Sequence, residues 1–257
     1  MDSLQPILGR TLVFVAHPDD EAVGCGALLQ RMRDPYVVFA TDAAPRSGYF
    51  WKPYGTRESY AATRANEAKH ALALIGVESA QFLLKENPIA DQELFLNLNS
   101  AYHALCMLLK QEEPEAILTL AYEGGHPDHD ACCFLGFVAG REFGLPVWEV
   151  PLYHREAGEI VRQKFIAGDS IRVTPAAEEL KRKLAMFAAY ESQKHVVSEF
   201  DPTFEIVRIM HAYDFRQPPH AGELNYEAWQ WPMKGSGLCH AFSLFLAQLK
   251  RSECTVA

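Results

Sequence analysis

The chain has no run of about 18 apolar residues, the length a helix needs to cross a bilayer, so no membrane span is expected. Its opening residues, Met1 to Arg10, lack both the charged start and the long apolar stretch of a secretory signal. Cationic side chains are in deficit: 24 Lys and Arg against 33 Asp and Glu leave a net charge of -9. A surface for nucleic acid or anionic lipid needs clustered Lys and Arg, so neither partner is expected. The six cysteines, Cys25, Cys106, Cys132, Cys133, Cys239 and Cys254, contain no C-x-x-C pair and no framework spacing. They read as small buried thiols kept reduced in a cytoplasmic protein. No repeat or low-complexity tract marks a linker. Gly24-x-Gly26 lacks the third glycine of a dinucleotide fingerprint and falls inside an expected helix, which excludes a nicotinamide cofactor by that route.

What is present is apolar material in quantity. Of 257 residues, 49% are hydrophobic, enough for the core of one large α/β domain. Short β-branched runs alternate with helical patterns. Strands are expected at Thr11–Ala16, Tyr36–Thr41, Gln81–Leu84, Ala116–Leu120 and Pro146–Val150. Helices are expected at Glu21–Arg33, Arg57–Leu74, Gln92–Lys110 and from about Asp130. This alternation predicts an α/β fold: a Rossmann-like, doubly wound, mostly parallel sheet with helices on both faces. Residues 1–150 form that core. Residues 151–257 complete the fold as an extension of strands and loops, expected to cover the pocket within one domain spanning 1–257. In the second part, Ala176–Tyr190 reads as helix, and Ile171–Val173 and Glu205–Met210 as strands. Asp214–Gly237, rich in aromatics and Pro, reads as irregular structure of the kind that forms lids.

Two segments carry chemistry. His17-Pro18-Asp19-Asp20-Glu21 follows the first strand, and His126-Pro127-Asp128-His129 follows the fourth. In the common doubly wound order those strands are neighbours at the point where strand order reverses, and ligands bind beyond their carboxyl ends. A hydrolytic metal site needs about three protein ligands and an open position, which His17, Asp20 and His129 can supply. Zinc suits this donor set, and iron or manganese would also fit. Asp19 is placed to act as general base and His126 as acid or oxyanion partner, while Asp128 and Glu21 could orient the ligand imidazoles. The bland alternative is a pair of polar loop caps, with Asp19-Asp20-Glu21 as the acidic first turn of a helix. It leaves His17 unexplained.

Ala16-His17-Pro18-Asp19-Asp20-Glu21 with a distal His126-Pro127-Asp128-His129 resembles the PIG-L/LmbE-like zinc-dependent de-N-acetylases, over about residues 10–195. The likeness extends to Arg64 and Glu67 before Leu74-Ile75-Gly76-Val77, and to Ser192-Gln193. It implies zinc on His17, Asp20 and His129, Asp19 as base, His126 as electrostatic or acid catalyst, and removal of acetyl from an N-acetylglucosamine-type small molecule. It also implies a substrate contact at Arg64, whose alternative is an exposed helix position paired with Glu67. Tyr122 sits further upstream than the tyrosine that assists the oxyanion in one branch of the family. The Glu123-Gly124-Gly125 turn is therefore expected to shape the pocket or orient His126, with Glu123 a candidate substrate residue. His220, in the aromatic C-terminal stretch, is another. Two further functional readings stay open: hydrolysis of a different N-acyl amide on a non-sugar amine, and a non-catalytic sugar-binding module. A homo-oligomer is left open.

Overall fold

The structure, a computed structural model, describes residues 2–254. A 3-10 helix over Asp2–Leu8 leads into β1 (Arg10–Val15). There follow α1 (Asp20–Leu29), β2 (Asp34–Phe39), α2 (Gly48–Trp51), α3 (Arg57–Ala73), β3 (Ala80–Phe82) and α4 (Leu98–Glu112). Next come β4 (Ala116–Leu120), α5 (Pro127–Phe143), β5 (Val147–Val150), the hairpin β6 (Tyr153–Glu156) and β7 (Glu159–Arg162), and β8 (Ile171–Val173). The chain ends with α6 (Ala177–Ala189), α7 (Lys194–Val197), β9 (Glu205–Ile209), α8 (Asn225–Ala228) and α9 (Gly235–Cys254).

The sheet order is β3-β2-β1-β4-β5-β9-β8, with the first five strands parallel, β9 antiparallel to β5 and β8 antiparallel to β9. β1 and β4 are neighbours in register from Thr11 opposite Ala116, so the reversal of strand order falls between them as expected. All of β4, and β1 from Thr11 on, are buried, the continuous apolar pattern of strands covered on both faces. One layer of helices consists of α1, α3 and α6, the other of α4, α5 and α9. Among the described residues no helix is long and apolar enough to cross a membrane. Cys25, Cys106, Cys132, Cys133 and Cys239 are free thiols, and the side chain of Cys254 lies outside the described residues.

Three expectations are corrected. The helix expected over Gln92–Lys110 begins only at Leu98, because Gln92 takes a positive φ of 73° and a 3-10 turn, Leu94–Leu96, intervenes. The helix expected over Glu21–Arg33 ends at Leu29. Asp214–Gly237 is not wholly irregular, since it holds α8 and the start of α9.

Gly24 and Gly26 serve packing. A Cβ on Gly24 would stand 3.0 Å from Val150 Cγ2, and one on Gly26 3.4 Å from Lys183 Cγ, so α1 seats closely on β5 and α6. Between them Cys25 leaves helical geometry at φ -148°. Just beyond that break, the Glu205 carboxylate accepts the N–H groups of Ala27 (2.6 Å) and Leu28 (2.9 Å) and pairs with the fully buried Lys183 at 2.6 Å. Removing one partner of such a pair strands a buried charge. Lys183→Met is therefore expected to destabilise the protein by about 3–5 kcal/mol, measured by denaturant unfolding; a loss near zero would show that the two amide donors suffice for Glu205.

Candidate active site

Both histidine–aspartate segments leave the carboxyl ends of their strands at one end of a cavity of about 670 Å³. His17, Asp19, Asp20, Arg64, Asp91, His126 and His129 line its polar end. Its far wall is apolar, with Phe200, Trp229 and Trp231 prominent.

α5 places the second segment. His126 is its N-cap, Pro127 opens its first turn, and the left-handed Gly144 ends it. His126 Nδ1 accepts the Asp128 N–H at 3.1 Å. That bond assigns the proton to Nε2, which faces Asp91 Oδ1 at 3.3 Å. Burial and the neighbouring His17 lower the pKa of His126, so it stands in the cavity as a neutral donor.

Asp20 joins the two segments. Its Oδ2 accepts the His17 N–H at 2.8 Å and lies 3.5 Å from His17 Nδ1, while Oδ1 lies 3.3 Å from His129 Nε2. Donors about 2.0–2.1 Å from a tetrahedral zinc stand about 3.4 Å apart, so each separation has the length of a ligand–ligand edge, the two running to different oxygens of Asp20. Burial opposes ionisation of Asp20, but His129 and His17 overcome it and hold the carboxyl well below its ordinary range. The other His17 nitrogen, Nε2, lies 3.2 Å from Asp128 Oδ2. Asp128 is itself fixed by the N–H groups of Gln92 (2.6 Å) and Leu94 (3.0 Å). A carboxylate behind a ligating imidazole is the usual support for a metal ligand.

A second set of donors overlaps the first: His17, Asp91, His126 and Asp128 also bring ligand atoms within 4.8 Å of one another, as do His17, His126 and His129. Asp128 is fully buried and already carries two backbone N–H groups, and it does not line the cavity. A catalytic metal needs an open position, which favours the side of His17 that faces Asp20. The donor chemistry fits a divalent cation there. Three buried polar atoms at this end, Asp91 Oδ1, His129 Nδ1 and Arg64 Nε, have no hydrogen-bond partner, as at a site that a ligand or water completes.

Asp19 sits between strand and helix with φ at 121°, a conformation costing a non-glycine residue about 1–3 kcal/mol. Its N–H is held by Glu21 Oε2 at 3.0 Å, and Glu21 Oε1 accepts the Tyr190 hydroxyl. Among the described residues the Glu21 carboxylate bonds the Asp19 N–H and Tyr190 and no imidazole, and so fixes the Asp19 backbone. Burial pushes Glu21 up to about 8.

Arg64 is not the exposed helix residue of the alternative reading. It is 4% exposed, donates to Pro18 O at 2.5 Å and pairs with Asp19 Oδ2 at 3.2 Å. Glu67 instead accepts the Ser192 N–H and hydroxyl, and Gln193 donates to Tyr60, so the matched Ser192-Gln193 fastens the end of α6 to α3. The spacing of Tyr60, Arg64, Ala68 and Ala71 along one helix face was the available signal for burial.

Glu123 and His220 do not line the cavity. Glu123 lies behind its wall, accepting the N–H groups of Leu152 and Tyr153, with His154 Nδ1 3.5 Å from its other oxygen. His220 Nδ1 accepts the Gly222 N–H. Tyr122 donates to Gln217 O at 2.8 Å, also away from the cavity.

Two wall residues escaped sequence reasoning. Asp91 reaches the histidines because its loop, after β3, bridges to Pro45 after β2; no motif surrounds it. Tyr153 packs edge-on to His129 with ring centres 5.4 Å apart. Burial, then Asp20, Asp19 and Asp91, push its pKa well above the ordinary value, so it stays a protonated phenol.

Residues 12–139 match the family model described as PIG-L: GlcNAc-PI de-N-acetylase. No curated protein matches the sequence. Among solved structures, a deacetylase–teicoplanin complex from the teicoplanin biosynthesis pathway shares 16% identity over 77% of this chain and 96% of that one, with a TM-score of 0.59. The N,N'-diacetylchitobiose deacetylase from Pyrococcus horikoshii shares 17% over 82% and 86%, at 0.58. GalB, the 4-carboxy-2-hydroxymuconate hydratase from Pseudomonas putida KT2440, shares 16% over 74% and 82%, at 0.52. At such identities these likenesses establish the mostly parallel α/β fold and not the reaction, as a hydratase among them illustrates. The family match encloses both histidine–aspartate segments, and by it this chain carries a PIG-L family domain.

Proposed function

We propose that the chain hydrolyses the N-acetyl amide of a small amino sugar or glycoside, releasing acetate and a free amine, with zinc held by His17, Asp20 and His129. The observation that carries this reading is the Asp20 carboxylate set between the His17 and His129 imidazoles, one oxygen toward each, opening on the cavity beside the separate carboxylate of Asp19. A bound divalent cation would supply Lewis acidity toward the acyl oxygen and the attacking water. Asp19 takes a proton from that water as its oxygen bonds to the acyl carbon, and the C=O π pair moves onto oxygen. The C–N bond then breaks and the nitrogen leaves with a proton. His126, its Nδ1 occupied, offers Nε2–H to the acyl oxygen or the departing amine. The Asp91 carboxylate stands 3.3 Å from that nitrogen. The chain works as one catalytic unit in this reading, residues 1–150 bearing the polar end and the later part most of the apolar wall. Its unpaired thiols suit the cytoplasm.

The apolar wall supports a second reading, in which the acyl group is larger than acetyl or the amine is not a sugar. Carboxylate release from N-acetylglucosamine glycosides against N-acyl amines of increasing chain length separates the two.

Burial outweighs Arg64 and raises Asp19 to about 7. The base works deprotonated, so kcat/KM falls as pH drops through that value, and a cation beside it draws the midpoint lower. Arg64 favours the ionised form. In Arg64→Met the acid limb of the kcat/KM profile is therefore expected at higher pH than in wild type. An unmoved limb would separate Arg64 from the control of Asp19.

A further inference from the structure

Beyond its polar end the cavity carries an aromatic group that hydrolysis of a bare N-acetyl sugar leaves unused. Tyr49, Phe50, Trp229 and Trp231 line it there. The two indoles come from the C-terminal stretch, past the family match, and α8 sets them in place. The Asn225 N–H donates to Gly124 O at 2.9 Å, and the Tyr226 hydroxyl stands 3.3 Å from Asp130 Oδ2. Both bonds fasten α8 to the turn and the helix that carry His126. Gln230, between the indoles, takes a left-handed φ of 58°, a region that non-glycine residues seldom occupy. The Trp231 N–H then closes on Tyr226 O at 3.0 Å, and the indole rings stand 5.1 Å apart.

The other two rings come from α2. Trp51 Nε1–H donates to Pro45 O at 3.1 Å and closes that segment on itself. Phe50 meets Trp231 nearly at right angles, with ring centres 6.5 Å apart, and Tyr49 stands 5.3 Å from Phe50. Tyr49 is 85% exposed and Trp229 42%. Large rings left facing water around a cavity mark a surface that a ligand covers. None of the four is charged, and their polar atoms are one phenol and two indole N–H groups. Sugar hydroxyls set among them would give up water with little in return. A flat apolar ring gives up nothing and gains contact on its faces. Trp231 also stands edge-on to His126 at 5.1 Å, so the aromatic group begins one ring from the imidazole that meets the departing nitrogen. The cavity, at about 670 Å³, is larger than one hexosamine fills and falls in the range of about 300–1,000 Å³ that encloses drug-sized ligands.

We propose that Tyr49, Phe50, Trp229 and Trp231 form a subsite for a flat apolar ring on the amine half of the substrate. The substrate class is then an aryl glycoside of an N-acetyl amino sugar, with the sugar at the polar end and the aryl aglycone among the four rings. The inference rests on the amide-hydrolase reading and names the substrate of the same site. The subsite touches no reacting atom, so it holds ground state and transition state alike and acts on KM more than on kcat.

The test uses the full chain loaded with zinc, comparing wild type, Trp229→Ala and Trp229→Phe. Acetate release is followed from methyl and phenyl N-acetylglucosaminide and from methyl N-phenylacetylglucosaminide, where phenylacetate is read. Calorimetry gives the affinities for methyl and phenyl glucosaminide, which lack the amide. Wild type is expected to show a KM roughly 10- to 100-fold lower for the phenyl than for the methyl glycoside, the worth of burying one ring, at similar kcat. Trp229→Ala should cut that ratio by roughly 10-fold, and Trp229→Phe should restore most of it. A ratio near one in wild type, or a ratio untouched by Trp229→Ala, would overturn the proposal. So would a preference for the phenylacetyl substrate that Trp229→Ala removes, since the rings would then hold the acyl half. If wild type releases no carboxylate from any of the three, the deacetylase reading fails by itself and calorimetry decides for the subsite. Tighter binding of phenyl than of methyl glucosaminide, weakened in Trp229→Ala, supports it; equal or absent binding overturns it.

Discussion

Asp19→Asn is expected to lower kcat by roughly 100- to 10,000-fold, the range of a positioned general base, with zinc content unchanged. Asparagine keeps the size and one carbonyl oxygen of the side chain, so the backbone at φ 121° can stay held by Glu21. What it loses is the ability to accept a proton. Asp19 is 3.2 Å from Arg64, whose charge it meets in place of an imidazole. The change should therefore leave the metal in place. Elemental analysis and steady-state kinetics on one preparation separate the two effects. A variant as active as wild type would remove Asp19 from proton transfer, and one lacking zinc would make it part of the metal's support.

His129→Ala is expected to lower zinc affinity by more than about 100-fold, because even a supporting residue behind a ligand is typically worth 10- to 100-fold. The contrast with His126→Ala gives the experiment its force. Donor sets overlap at His17, one through Asp20 and His129, another through Asp91, His126 and Asp128. His17, His126 and His129 also bring ligand atoms together, and a cation held there would be lost from both variants. If the cation sits on the cavity side, His129→Ala empties the site and His126→Ala retains metal while losing turnover. If it sits among Asp91 and His126, the pattern inverts. Competitive titration with a chromophoric chelator reads both variants. Asp128→Asn should fall between them, since it removes the carboxylate behind His17 Nε2 and leaves each ligand on the Asp20 side intact.

How far the sequence reaches depends on the range of each interaction. β1 and β4 were legible because buried parallel strands read as continuous apolar runs, and their adjacency followed from the doubly wound order. Both histidine–aspartate segments were legible because histidine and aspartate directly after a buried strand have few structural uses. Asp91 was not legible. It stands in an ordinary loop and reaches the site only through the pairing of Pro45 with Asp91 across two crossovers. Tyr153 was hidden for a similar reason: the β6–β7 hairpin lies outside the main sheet, and its four-residue strands carry a mixed burial pattern. Glu21 looked like support for an imidazole because it adjoins Asp20. Which atoms it meets was decided by Tyr190, 169 residues away. Arg64 lay between these cases, its burial written in helix spacing but its pairing with Asp19 set by tertiary packing.

The central claim is metal-dependent N-deacetylation, and acetate release tests it most directly. Protein stripped by chelation and protein reconstituted with zinc should be offered N-acetylglucosamine, its glycosides and N,N'-diacetylchitobiose, with acetate and free amine quantified together. The account predicts equimolar acetate and amine from at least one of them, abolished by chelation and restored by zinc. Protein that binds zinc stoichiometrically at His17, Asp20 and His129 yet releases acetate from none of them would contradict it.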